Sequence, residues 1–80
     1  MTSARDSLVR LVQLMVDEPD QVAVEEISGR ESILFELEVS EEDLGKVIGR
    51  QGRTVRAIRS LLAARGSQDG EHYEFEIIED

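Results

Sequence analysis

Eighty residues with no cysteine, one proline and 34% charged side chains suit one small packed core, unsupported by disulfides or thiolate-bound metal. The formal net charge is −9, which excludes a uniformly basic surface. Apolar runs are only a few residues long and no charged-then-apolar leader precedes a cleavage site, so neither membrane spanning nor export is expected. The sequence predicts one soluble, cytoplasmic domain over residues 1–80.

Leu8, Leu11, Val12, Met15 and Val16 recur at three- and four-residue steps, which predicts an amphipathic helix from Ser3, its expected N-cap, to Val16. Asp17-Glu18-Pro19-Asp20 should end it, because proline lacks an amide donor and forces its predecessor out of helical geometry. Val22, Val24 and Ile27 favour a strand. Ser28-Gly29-Arg30-Glu31 supplies a turn, and Ile33, Phe35, Leu37 and Val39 alternate with Glu36 and Glu38 in a second strand, giving a hairpin with one buried face. Ser40 then precedes Glu41, Glu42 and Asp43, a capping-box-like start with acids at the positive end of a helix dipole. Leu44, Val47 and Ile48 form the apolar stripe of a short helix that Gly49 stops. A further helix is expected over residues 53–65 on Val55, Ile58, Leu61 and Leu62. Gly66-Ser67-Gln68-Asp69-Gly70 reads as a loop, and Tyr73, Phe75 and Ile77 alternate with Glu74 and Glu76 in a last strand. The order αββααβ predicts an α+β fold: a three-stranded sheet with three helices packed on one face.

The charge is unevenly spread along this order. Residues 44–65 hold six basic side chains (Lys46, Arg50, Arg53, Arg56, Arg59 and Arg65) and no acid, which makes the segment +6 and leaves −15 for the remainder. One face of the domain therefore attracts a polyanion while the rest repels it. Arg59 and Arg65 lie farther from the centre of the segment and are expected to pair with sheet glutamates.

Gly49-Arg50-Gln51-Gly52 sits between the two later helices, preceded by Gly45-Lys46-Val47-Ile48 and followed by Arg53-Thr54-Val55-Arg56. Two glycines three apart often mark only a tight turn, with Val55 and Ile58 as core and the arginines as a solvated face. A turn alone leaves the cluster of cations in an acidic protein unexplained. Glycines let the backbone approach a phosphodiester, the amides at the start of the following helix point at the anion, and Arg50 and Arg53 add charge.

The motif and its flanks resemble the KH family pattern V-I-G-x-x-G-x-x-[IV]. The element order over the whole chain resembles the bacterial, type II form of that fold, and more narrowly the KhpA family of small single-KH proteins. The resemblance implies RNA binding in which the loop clamps the backbone of a few single-stranded nucleotides and bases are read in an adjoining groove. Matched onto this sequence, the site comprises Lys46, Ile48, Gly49, Arg50, Gln51, Gly52, Arg53 and Arg56, with Ile48 and Val55 lining the groove. It further implies a bacterial RNA chaperone or post-transcriptional regulator, with self-association or pairing with a second, KhpB-like KH protein as partnerships.

Catalysis lacks support. His72 is the single histidine, has no cysteine or base partner, and reads as a solvated residue at a strand end. The carboxylates occupy capping or alternating positions with no isolated apolar pair, so neither acid–base chemistry nor a metal or cofactor site is indicated. Gly45-Lys46 is not a phosphate-binding P-loop, because Val47 stands where Ser or Thr is required. Aromatic residues are few and lie at strand positions, so an exposed stacking platform is not expected. Two other readings stay open. The acidic sheet face or first helix would serve a protein-interaction adapter with a vestigial loop, and two helices around a tight turn would suit a DNA-binding domain.

Overall fold

Thr2, rather than Ser3, sets where the chain first turns helical. Its hydroxyl accepts the Arg5 amide at 3.1 Å, satisfying a donor that the first turn leaves without an acceptor, and α1 spans Ser3–Met15. Glu26 accepts from the Thr2 amide and hydroxyl at 2.9 and 3.0 Å, which fastens this helix start to the sheet. The computed structural model describes residues 2–79; Met1 and Asp80, the ends of the expected domain, lie outside the described residues. Ala4, Leu8 and Val12, each four residues from the last, are the buried stripe of α1.

Beyond a 3-10 turn at Pro19–Gln21, β1 (Ala23–Ser28) runs antiparallel to β2 (Ile33–Glu38). The chain then forms α2 (Leu44–Ile48), a second 3-10 turn at Arg50–Gly52 and α3 (Arg53–Asp69), before β3 (Tyr73–Ile77) adds to the other side of β2 in parallel. The sheet order is β1-β2-β3, and the expected αββααβ arrangement is what the chain adopts. Contacts of α1 with β1, of α3 with β3 and of α2 with both other helices put all three helices on one face.

Val24, Phe35, Leu37, Tyr73 and Phe75 supply the sheet side of the core, and Leu8, Val12, Val47, Ile58 and Leu62 supply the helical side. Phe35 and Tyr73 meet edge to face at 5.1 Å between ring centroids, the arrangement aromatic quadrupoles favour. Strand alternation sends Ile27 outward with Glu25, opposite in face to Val24, so it is not a partner of Val24 in the core. On that outer face Glu25, Glu36 and Glu76 stand side by side across three strands. Carboxylates directly opposite one another repel, so this face is a poor surface for a polyanion.

The segment Gly66-Ser67-Gln68-Asp69 is the last turn of α3 rather than a loop. Arg65 pairs with Asp69 one turn on, at 3.1 Å, and Tyr73 donates its hydroxyl proton to the same carboxylate at 2.5 Å. Gly70 ends the helix in the left-handed conformation, and the Glu71 amide returns to the Gly66 carbonyl at 2.8 Å, a Schellman closure. Gly66 is required by close approach. A Cβ there would lie 2.7 Å from the Glu71 carbonyl oxygen.

Asp43 joins the early and middle parts of the chain. Its side chain is 1% exposed, yet its oxygens accept the amides of Asp17 and Glu18 at 3.2 and 3.0 Å and the Ser40 hydroxyl at 3.1 Å. Ser40 therefore donates to Asp43 instead of capping the helix with its oxygen. Burial alone would raise the Asp43 pKa, but the two amides, Ser40 and the nearby Lys46 charge outweigh it and hold the carboxyl below its ordinary range.

Candidate nucleic-acid interface

Three of the four residues linking α2 to α3 have positive φ: Gly49 (78°), Gln51 (57°) and Gly52 (72°). Gly49, with ψ at 166°, occupies a region open almost only to glycine. A Cβ on it would lie 2.7 Å from the Thr54 Cβ and 2.8 Å from the Thr54 amide nitrogen, so Thr54 is the residue against which the loop closes. Gln51 bears the left-handed geometry without being glycine. Strain of that kind is concentrated at binding sites.

The loop offers amides and charge. Among the described residues, neither the Arg50 nor the Gln51 amide donates to an acceptor outside the 3-10 turn, in keeping with the unsatisfied donors at the start of any helical segment. Gly52 caps α3 without a side chain in the way, which leaves the positive end of a 17-residue helix dipole facing the loop. Arg50 and Arg53 are exposed and make no ion pair with any carboxylate among the described residues.

The other expected cations are differently employed. Arg56 reaches back one turn and donates to the Gln51 carbonyl at 2.8 Å, bracing the loop in its left-handed form. Lys46 is held by Asp17 and by Asp43, the latter at 3.5 Å. The hydrogen bond to Asp17 is the main cause of its raised pKa, so the ammonium is charged but stands beside two carboxylates. Neither of the outlying arginines pairs with a sheet glutamate. Arg65 binds Asp69 and the Ser3 hydroxyl, while Arg59 donates to the Phe75 carbonyl at 3.4 Å.

Beside the loop, an open hollow of about 460 Å³ separates α3 from the free edge of β3. Ile48 and Val55 form its helical wall, Ile77 and Ile78 its strand wall, and Arg59, Glu76 and Glu79 supply its polar groups. Ile58 is wholly core, whereas half-buried Val55 divides its surface between core and hollow. The structure thus brings Ile48, Gly49, Arg50, Gln51, Gly52, Arg53 and Arg56 to one end of the molecule, with Lys46 drawn toward the α1 terminus. Thr54 is the group sequence reasoning missed at this site, its only advance signal a small polar residue just after the second glycine; Arg59, expected farther out beside a sheet glutamate, lines the hollow instead.

Residues 5–77 match the family model described as KhpA/KhpB, KH domain. The chain belongs to the KhpA/KhpB KH-domain family. Relatives agree along nearly the whole length. A protein of Clostridium acetobutylicum is 44% identical over 71 residues, 89% of this chain and 95% of its own. One from Caldanaerobacter subterraneus is 47% identical over 68 residues, 85% of this chain and 91% of its own. One from Aquifex aeolicus is 40% identical over 79 residues, 99% and 100% of the two chains. All three bear the name RNA-binding protein KhpA. The KhpA/KhpB KH domains are not an enzyme family, and this chain is not an enzyme. No solved structure gives a significant match.

Proposed function

We propose that this KhpA/KhpB-family domain, taken as residues 1–80, binds single-stranded RNA by gripping the sugar-phosphate backbone with Gly49-Arg50-Gln51-Gly52. The single observation that carries the reading is the loop's geometry. It presents two unengaged amides, two unpaired guanidinium groups and a helix N-terminus on one side of a turn that Gly49 and Gly52 leave bare. Phosphates lie along the loop and α3 start, contacted by Arg50, Gln51 and Arg53. Arg56 acts mainly by stiffening the loop, and bases enter the hollow between Ile48, Val55 and the β3 edge. The relatives' names support the same ligand. The acidic outer sheet keeps non-specific RNA off the opposite face.

Acting through backbone contacts and few base contacts, one copy binds weakly, so self-association or pairing with a KhpB-like second KH protein raises avidity. Such a domain serves in the cytoplasm as an RNA chaperone or post-transcriptional regulator. No helix among the described residues is long and apolar enough to cross a membrane.

Fluorescence anisotropy of short labelled RNA tests this, comparing the wild type with the double change Arg50→Asp, Gln51→Asp. Binding lost in a variant with native circular dichroism supports the clamp, and unchanged binding removes it. Equal affinity for DNA of the same sequence would remove a preference for RNA over single-stranded DNA. With about three or four phosphates neutralised, log affinity falls with log salt at a slope of roughly −2 to −3.

A further inference from the structure

Arg59 does not end the groove; it divides it. On the side away from the glycine loop, the same guanidinium lines a second hollow of about 250 Å³, bounded by Leu62, His72, Tyr73, Glu74 and Phe75. The two hollows follow one line between α3 and the free edge of β3, with Arg59 bridging from the helix to the Phe75 carbonyl where they meet. His72 is exposed, but its backbone is fixed: its carbonyl accepts the Ile33 amide at 2.9 Å. An imidazole and a guanidinium, both planar, therefore line a hollow backed by Leu62 and two aromatic residues.

We propose that this second hollow is a nucleotide subsite, taking the base of the RNA residue that follows those held at the glycine loop, stacked against His72 and Arg59. The site rests on the RNA-binding reading and extends it. Continuity with the first groove names the occupant, because a strand leaving that groove along β3 passes Arg59 and reaches the hollow next. The chemistry names the part bound. Imidazole and guanidinium planes are the surfaces on which unpaired bases stack, and beyond them the lining is apolar, aromatic or acidic, with no further cation among the described residues to hold a phosphate. The sheet edge thus extends RNA contact beyond the few nucleotides that the loop clamps, and His72 has a role that its place at a strand end conceals.

The test is a ¹⁵N–¹H NMR titration with four ligands of one sequence: a tetranucleotide, the same RNA lengthened by two nucleotides at the 5′ or at the 3′ end, and the better-binding hexamer with its extension made abasic. Lengthening at one end should tighten binding about five-fold or more, the lower range of base stacking, and only then should the amides of His72 and Glu74 shift. The abasic extension and the exposed-site variant His72→Ala should each lose most of that gain, the variant leaving tetranucleotide affinity as in wild type. An equal gain from the abasic extension, or a gain that survives His72→Ala, overturns the subsite while the clamp stands. A tetranucleotide that shifts no loop amide overturns the clamp itself, and the subsite with it.

Discussion

Replacing single glycines with alanine around the loop should change stability in opposite directions over four positions in the chain. At Gly49, a φ of 78° with ψ of 166° costs a side-chain-bearing residue about 1–3 kcal/mol. The new Cβ would also meet the Thr54 Cβ at 2.7 Å and its backbone nitrogen at 2.8 Å, and a clash with backbone is not relieved by a rotamer change. Together these put the loss for Gly49→Ala at no less than about 2 kcal/mol, which lowers the melting temperature of a domain this size by about 8 °C or more. At Gly45, inside α2, nothing lies within 4 Å of an added Cβ. Gly45→Ala should therefore stabilise by up to about 1 kcal/mol through helix propensity and a less free unfolded chain. Urea unfolding followed by far-ultraviolet circular dichroism measures both, with equal m-values as the sign that the two-state comparison holds. A stabilising Gly49→Ala, a loss there below about 1 kcal/mol, or a destabilising Gly45→Ala would refute the loop geometry from which the numbers come.

Other outcomes follow from particular contacts. Tyr73 is the only tyrosine and tryptophan is absent, so absorbance at 295 nm titrates it alone. The hydrogen bond to Asp69, then burial, push its pKa from 10.0 up to about 12, and Asp69→Asn should move the midpoint back down. Because the folded pKa is raised, this group's contribution to stability is whole below pH 10 and is lost between 10 and about 12. Asp43 has the opposite sign: its pKa is depressed below the ordinary 3.8, so its contribution is present above that pH and fades as pH falls through the folded value. Asp43→Asn should flatten the acid limb of the stability curve. Arg53→Ala should lower the salt slope of RNA binding by about 0.7, and Lys46→Ala by less, since Asp17 and Asp43 already neighbour its charge.

Most of the fold was legible because apolar periodicity and turn residues act locally. Val24, Phe35, Leu37, Tyr73 and Phe75 face the core as alternation requires, and Gly49 ends α2 as expected. What stayed hidden depends on residues far apart in sequence. Asp43 reads as a helix-start acid, yet its main partners lie 25 and 26 positions earlier. Gly66 reads as a breaker, but the chain returning at Glu71 and Tyr73 needs its missing side chain within a continuing helix. For the site, the motif located the loop. Which cations remain unpaired was set by the arrival of Asp17 beside Lys46 and of the β3 edge beside Arg59, and no local pattern encodes either.

Both outer strands of the sheet are met by an arginine from the helical layer. Arg5 donates to the Val24 carbonyl on β1 at 3.0 Å, and Arg59 to the Phe75 carbonyl on β3 at 3.4 Å. A carbonyl so occupied is not free to pair with a strand of another molecule, and the guanidinium brings bulk and charge to the line along which such a strand would lie. The two side chains act as terminators of the sheet. Growth of the three-stranded ribbon by an added strand is thereby disfavoured at both edges.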